Sequence, residues 1–203
     1  EAAVAGSSAD DRPIAETVAL STSNVTLGAN YTINWTTQGV CPPDMVRTYK
    51  VYENNVLIRT QSTQGYTKNY TNSATEFLNY NVQTECVRGA LVISSDMSAV
   101  ATAKVIPAVP ALVINTQPAA TNAALNSNLT STATCLYGTT PRYNLVQAVT
   151  TYGAANTTLS NLTSVNRAIN NGFTVVEGAR YQYRVEAWCI SPFDKSANTS
   201  TIT

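Results

Sequence analysis

Residues 180–189 read Arg-Tyr-Gln-Tyr-Arg-Val-Glu-Ala-Trp-Cys, and this stretch decides the class of fold. A period of two predicts an antiparallel strand with one buried and one solvated face. Here large or apolar side chains alternate with polar ones. The predicted inner face carries Tyr181, Tyr183, Val185, Ala187 and Cys189.

The same alternation occurs in two earlier segments, 30–36 and 79–86. Residues 51–58 read as a β-hairpin, because the Asn54-Asn55 pair tolerates the positive φ that a tight turn needs. Apolar residues rarely recur at helical spacing, so we expect an all-β chain. The inner faces of the two segments are predicted to carry Tyr31, Ile33 and Trp35, and Tyr80, Val82, Thr84 and Cys86.

The two halves of the chain match each other. Asp96-Met-Ser-Ala precedes the last strand of the first half, and Asp194-Lys-Ser-Ala precedes that of the second. The repeat period is about 100 residues, which is the size of one β-sandwich. Prolines between the copies predict a short extended linker. We therefore expect a tail (1–13), a first sandwich (14–106), a linker (107–110) and a second sandwich (111–203).

These features resemble fibronectin type III and related immunoglobulin-like modules. The resemblance rests on Tyr-x-Tyr-x-Val-x-Ala at 181–187, on the hairpin sequence at 49–55 and on Trp35 in an early strand. It covers nearly the whole chain and implies two tandem immunoglobulin-like β-sandwiches. Because such folds host many functions, the resemblance implies little about activity.

Four cysteines allow three disulfide pairings. The repeat favours Cys41–Cys86 and Cys135–Cys189, which places one bridge in each copy. The alternative is a metal site, but the sequence has no histidine and no Cys-x-x-Cys pair. Disulfides indicate an oxidising compartment outside the cytosol, with a hyperthermophile as the alternative, so we expect a secreted, extracellular protein of the cell surface.

Composition argues against several classes of function. The chain has 12 Lys+Arg, 12 Asp+Glu and no histidine, so its formal net charge is zero. Nucleic-acid binding needs a basic surplus, and a membrane span needs about 20 apolar residues in a row. The sequence shows neither. We interpret the carboxylates, among them Glu53, as solvated surface charges and expect no enzyme activity, no metal and no cofactor.

Eight Asn-x-Ser/Thr sequons are present, and N-linked glycans are the one non-protein group that the sequence suggests. Asn30, Asn34 and Asn128 fall on predicted outward faces, where a glycan is tolerated. The alternative is a surface rich in Thr and Asn with accidental matches. The candidates are Asn24, Asn30, Asn34, Asn69, Asn128, Asn156, Asn161 and Asn198.

The first functional hypothesis is a structural subunit of an extracellular filament or surface assembly. The tail, Glu1 to Arg12, is interpreted as a strand that pairs with a sheet edge of a neighbouring copy; simple disorder is the alternative. The chain also resembles the thread-like surface filament subunits of archaea. That resemblance implies glycosylated β-sandwiches linked head to tail by donated strands, so the expected partner is another copy.

The second hypothesis is an adhesin or receptor ectodomain that binds a protein or carbohydrate ligand. Trp188 shares parity with Arg184 and Glu186, so we expect it to point outward as an interface anchor or sugar platform. Packing beneath the interdomain linker is the alternative for this residue. Tyr66 and Tyr70, in a loop-rich stretch, are further binding candidates.

Overall fold

The computed structural model describes residues 12–117, 128–149, 156–168 and 180–202. All regular structure within these ranges is β-strand, so no helix there could span a membrane. The chain divides into two compact units. Unit 1 contains Ala29–Tyr70, Thr75–Val105 and the described residues up to Val25. Unit 2 contains Thr26–Gly28, Thr71–Ala74 and the described residues from Ile106 onward.

The sandwich of unit 1 has two sheets. One has the order β1-β3-β6, and the other has the order β2-β9-β7-β4-β5, with β8 also paired to β7. The strands are β1 (Thr17–Leu20), β2 (Asn24–Thr26), β3 (Asn30–Thr36), β4 (Val46–Glu53), β5 (Val56–Gln61), β6 (Tyr66–Asn69), β7 (Phe77–Arg88), β8 (Leu91–Ser94) and β9 (Ala101–Ile106).

The core of unit 1 lies between these sheets. Tyr31, Ile33 and Trp35 of β3 are buried, which confirms the predicted inner face of that strand. Tyr80 and Val82 of β7 face them from the other sheet and are also buried, as predicted. Burial of large side chains at every second position is what holds two such sheets together.

The β4–β5 hairpin of unit 1 turns at Asn54 and Asn55, whose φ angles are 47° and 67°. Both residues lie in the left-handed region, which a two-residue hairpin turn needs in order to match the twist of its strands. Asparagine tolerates that region better than most residues, so the hairpin predicted at 51–58 is confirmed.

The described part of unit 2 has a sheet with the order β10-β11-β14 and another with the order β13-β12-β15-β16. Together the two units confirm the predicted fold class of two tandem all-β sandwiches. The strands of unit 2 are β10 (Ala111–Thr116), β11 (Asn128–Thr134), β12 (Thr140–Val149), β13 (Asn156–Leu162), β14 (Val165–Ala168), β15 (Tyr181–Ile190) and β16 (Thr199–Ile202).

Strand β15, which contains the stretch 181–189, is the central element of unit 2. It pairs with β12 along its whole length and with β16 on its other side. Its inner residues Tyr183, Val185 and Ala187 are buried against Leu129 and Leu145. The inner face predicted for this stretch is therefore confirmed.

Three buried serines bind a long strand in the same way. The backbone N–H of each serine donates to a strand carbonyl, and its hydroxyl oxygen accepts from the N–H of the same strand residue, at 2.8 to 3.0 Å. Two of these serines belong to the repeated Asp-x-Ser-Ala sequence. We call these contacts serine bridges: Ser95 with Thr84, Ser98 with Val82, and Ser196 with Cys189.

Ser196→Ala is expected to lower the free energy of unfolding by about 1–3 kcal/mol, because it leaves the buried Cys189 N–H without an acceptor. The measurement is denaturant unfolding of the full chain. Ser200→Ala is the matched control, because Ser200 is exposed on β16. Equal losses for the two variants would show that the serine bridge contributes nothing.

Candidate functional site

Both predicted disulfides are present. Cys41–Cys86 joins a loop of unit 1 to β7 with a Cα–Cα distance of 5.5 Å, and Cys135–Cys189 joins the end of β11 to β15 with 5.7 Å. The first bridge therefore ties the β3–β4 loop to β7, and the second ties the residue after β11 to β15 of the other sheet. All four cysteines are used, and the described residues hold no group of three or more metal-ligating side chains.

A cluster of four polar side chains crosses the interior of unit 1. The Lys68 ammonium lies 2.6 Å from Oε2 of Glu53, and the Tyr80 hydroxyl donates to the same oxygen. Tyr31 and Tyr80 then join hydroxyl to hydroxyl. Tyr31 and Lys68 belong to one sheet, and Glu53 and Tyr80 belong to the other. We call this the inter-sheet cluster.

The expectation that Glu53 is a solvated surface charge is wrong. Its side chain is 14% exposed, and it is the acceptor at the centre of the inter-sheet cluster. The inter-sheet cluster was not predicted from the sequence, although the alternation of side chains along β4 indicated an inward-pointing Glu53. Glu53 shares the parity of the buried Tyr49 and Val51 along β4, so its carboxylate had to point inward and find partners.

Three tyrosines of the two cores resist ionisation. Burial raises the pKa of Tyr31 to about 12, and the Glu53 carboxylate adds to this while the bond with Tyr80 opposes it. Burial also raises the pKa of Tyr80, and the hydrogen bond to Glu53 raises it further. Tyr183 in unit 2 has its pKa raised to about 12, chiefly by burial.

Alkali is therefore expected to destabilise both units. The phenols of Tyr31 and Tyr183 have a pKa of about 12 in the folded protein and about 10 in the unfolded chain. Their contribution to the free energy of unfolding is therefore complete below pH 10 and is lost as the pH rises towards 12. Denaturant unfolding at a series of pH values should show this loss. In the folded protein, the absorbance of tyrosinate from these residues should appear at a higher pH than it does for a free tyrosine. In Tyr183→Phe the decline should be shallower, and an unchanged slope would contradict the assignment.

The binding candidates Tyr66 and Tyr70 are half-buried, and each has a cation over its ring. The Arg59 guanidinium lies 5.6 Å from the ring centroid of Tyr66, and the Lys68 ammonium lies 5.7 Å from that of Tyr70. A cation over a ring occupies the face that a sugar would stack on. Neither tyrosine is a fully open platform.

The predicted outward exposure of Trp188 is wrong, because its side chain is only 7% exposed. Parity places the ring on the outer side of β15, but the chain after β15 folds back over that side. Lys195 pairs with Ile190 in an isolated bridge, and its ammonium lies 5.8 Å from the indole centroid. The serine bridge of Ser196 to Cys189 holds this fold-back in place.

Seven sequon asparagines have described side chains, and all seven are exposed. The predicted outward placement of Asn30, Asn34 and Asn128 is thereby confirmed. The side chain of Asn156 lies outside the described residues. Glycosylation itself stays a prediction. The exposed asparagines are Asn24, Asn30, Asn34, Asn69, Asn128, Asn161 and Asn198.

The outer face of the β1-β3-β6 sheet carries no charged side chain. Asn30 lies opposite Asn69, Thr32 lies opposite Thr67, and Asn34 is exposed on the same side of β3. Three sequons, those of Asn30, Asn34 and Asn69, therefore share this face. The outer face of the other sheet is different, because Lys50 and Glu85 form a 2.7 Å ion pair there. Unit 1 therefore presents one neutral, hydroxyl- and amide-rich face and one charged face.

The segment before β1 is fixed to unit 1. The Arg12 guanidinium donates to the Ser94 carbonyl at 3.2 Å. Glu16 is buried, and its carboxylate accepts from the Thr84 hydroxyl at 2.5 Å and from the Gln38 N–H at 3.1 Å. Residues 12–16 therefore form an anchor, which attaches the carboxyl end of the tail to a fixed position on unit 1.

No family model and no curated protein matches the chain. Among solved structures, fibronectin(III)-like modules of CbhA from Clostridium thermocellum are similar at 15% identity over 92% of each chain, with a TM-score of 0.29. The three N-terminal domains of the highly immunogenic outer capsid protein (Hoc) of bacteriophage RB49 are similar at 14% identity. That match covers 93% of this chain and 58% of the phage chain, with a TM-score of 0.38. Neither similarity says what this chain does.

Proposed function

We propose that the chain is a non-enzymatic extracellular structural protein, a glycosylated subunit of a surface filament built by strand addition. The observation that carries the proposal is the anchor at residues 12–16, which fixes the start of the tail to unit 1 through Arg12 and Glu16. A fixed base favours strand donation, because it lowers the conformational entropy that is lost when the strand binds.

Residues 2–9 of the tail carry no charge that an added strand would have to bury. Residues 2–9 are Ala, Val, Gly and Ser without a charge, and Val4 is their one large apolar side chain. Backbone hydrogen bonds supply the affinity in strand addition, so the tail needs few large side chains in order to bind. Disulfide closure of each unit supports an oxidising environment such as the outside of a cell.

Electron microscopy of the protein as it leaves its own cell tests the proposal. Regular fibres support a structural polymer, and deletion of residues 1–11 should then leave soluble monomers. Tryptophan fluorescence serves as a folding control for the deletion variant, since Trp35 and Trp188 lie one in each unit. Fibres that persist without the tail would refute strand donation. Dispersed particles from the intact protein would favour the ectodomain alternative, with Tyr66 and Tyr70 as its remaining candidates.

The neutral face of unit 1 is the glycan-bearing face in this proposal. Asn34 is modified only if its sequon is intact, so Thr36→Ala should remove one glycan mass from the peptide that contains Asn34. Mass spectrometry of the native protein measures this. Thr17→Ala, which changes the residue paired with Thr36, is the control and should leave the mass increment unchanged. If Asn34 carries no glycan in the parent protein, the prediction of a glycan at this asparagine is wrong.

A further inference from the structure

Three valines lie side by side on the outer face of the larger sheet of unit 1. Val87 of β7 is paired with Val46 of β4 on one side and with Val92 of β8 on the other. Val46 is 64% exposed and Val92 is 48% exposed, while Val87 is half-buried. Cross-strand neighbours have Cβ atoms about 5 Å apart, so the three side chains form one continuous apolar strip. We call this strip the valine row.

The valine row occupies positions that the rest of this face gives to polar residues. The next outer-face positions on β4 and β7 are Thr48 and Glu85, and Lys50 beyond Thr48 forms the 2.7 Å ion pair with Glu85. Valines that face solvent add nothing to the core between the sheets. Contact among themselves, which would stabilise the β7–β8 hairpin, is the alternative role. An exposed apolar strip with a polar rim is typical of a protein–protein contact.

Two charges of opposite sign flank the valine row. Asp44 lies two residues before Val46, and Arg88 directly follows Val87. Both residues are exposed, and neither forms an ion pair with another residue in the described ranges. An apolar strip flanked by one positive and one negative charge complements a second copy of itself, because each charge then meets its opposite.

The side of unit 1 that carries the valine row stays free of the proposed glycans. Strands β4, β7 and β8 contain no sequon asparagine, whereas three sequons share the outer face of the β1-β3-β6 sheet. Glycans at those sequons would cover one side of unit 1 and leave the valine row open to another protein chain.

We propose that the valine row is a lateral contact at which two copies of the chain associate about a two-fold axis parallel to the strands. In this arrangement Val46 of one copy lies on Val92 of the other, and Val87 meets its counterpart at the axis. Arg88 of each copy approaches Asp44 of the other. The contact does not involve the tail, so it goes beyond the proposed function and does not depend on strand donation.

The lateral contact is small. Stable interfaces bury about 1,600 Å² in total, which is more than a few aliphatic side chains supply, so free copies associate weakly. Copies that are held side by side on one surface or in one polymer raise each other's effective concentration. The valine row therefore acts between copies that already share such a surface.

Cross-linking between differently labelled copies tests the lateral contact. Copies with Val46→Cys are mixed with copies that carry Val92→Cys. The control mixture combines Val46→Cys with Val56→Cys, because Val56 is 62% exposed and lies outside the valine row. The native cysteines are all in disulfides. Under mild oxidation at high protein concentration, the first mixture should give dimers at least about tenfold faster than the control, since the two-fold contact brings the two thiols together.

The outcomes separate this inference from the proposed function. Deletion of residues 1–11 should leave the cross-link between positions 46 and 92 unchanged, whether or not it abolishes fibres, and loss of the cross-link with the tail would contradict a tail-independent contact. Equal rates for the two mixtures would overturn the contact and leave the valines as a support of the β7–β8 hairpin. Copies with Val46→Cys that cross-link as fast among themselves as with Val92→Cys would overturn the two-fold arrangement.

Discussion

Removing the Cys135–Cys189 bridge by replacing both residues with alanine is expected to lower the free energy of unfolding of unit 2 by about 4 kcal/mol. The bridge closes a loop with a sequence separation of 54, and the open chain gains conformational entropy when that loop is released. Alanine avoids a buried hydroxyl at position 189. The measurement is denaturant unfolding followed by Trp188, which neighbours the bridge in sequence.

The matched comparison is the other bridge. Replacing Cys41 and Cys86 with alanine releases a separation of 45, so unit 1 should lose nearly the same free energy while unit 2 keeps its own. Trp35 reports on unit 1 in that variant. If a unit without its bridge has the same denaturant midpoint as in the parent protein, that bridge does not stabilise the unit by restricting the unfolded chain.

The features that sequence predicted well are local ones. The turn at Asn54 and Asn55 depends on the φ preference of two adjacent residues, and the inner faces of β3 and β15 depend on a period of two. Each can be read without knowing any other part of the chain. The disulfide pairing needed one more step, because it depended on recognising the repeat of about 100 residues.

Trp188 shows where such local reasoning ends. Parity predicts a side of β15 for the ring, but it contains no information about what lies on that side. The cover includes Lys195, seven residues later, and its position depends on the bond between Ser196 and Cys189. The repeated Asp-x-Ser-Ala sequence was visible from the start, but only the structure shows that its serine holds the chain against the strand.

The inter-sheet cluster was missed for a related reason. A carboxylate is usually solvated, so composition alone argues for an exposed Glu53. Its actual environment depends on Lys68 from β6 and Tyr80 from β7, two strands that are distant from it in sequence. The alternation along β4 indicates that the carboxylate points inward, but it does not identify the partners that offset the cost of burying the charge.

Glu53→Ala is expected to lower the free energy of unfolding by about 3 kcal/mol, because it leaves the half-buried Lys68 ammonium and the buried Tyr80 hydroxyl without this acceptor. Glu85→Ala is the matched control on the neighbouring strand. The Glu85 side chain is 12% exposed, but its partner Lys50 is 30% exposed on the outer face, so water reaches the freed ammonium and the expected cost is smaller, about 1 kcal/mol. Denaturant unfolding of both variants measures the difference.

A second readout separates the inter-sheet cluster from general destabilisation. The bond to Glu53 is one cause of the raised pKa of Tyr80, so tyrosinate absorbance in folded Glu53→Ala should appear at lower pH than in the parent protein. Glu85→Ala should leave that titration unchanged. The double change Glu53→Leu with Lys68→Met should recover stability relative to Glu53→Ala, because it removes the unpaired ammonium as well. Equal losses for the two alanine variants, with unshifted tyrosines, would show that the inter-sheet cluster contributes no more than the outer-face ion pair of Lys50 and Glu85.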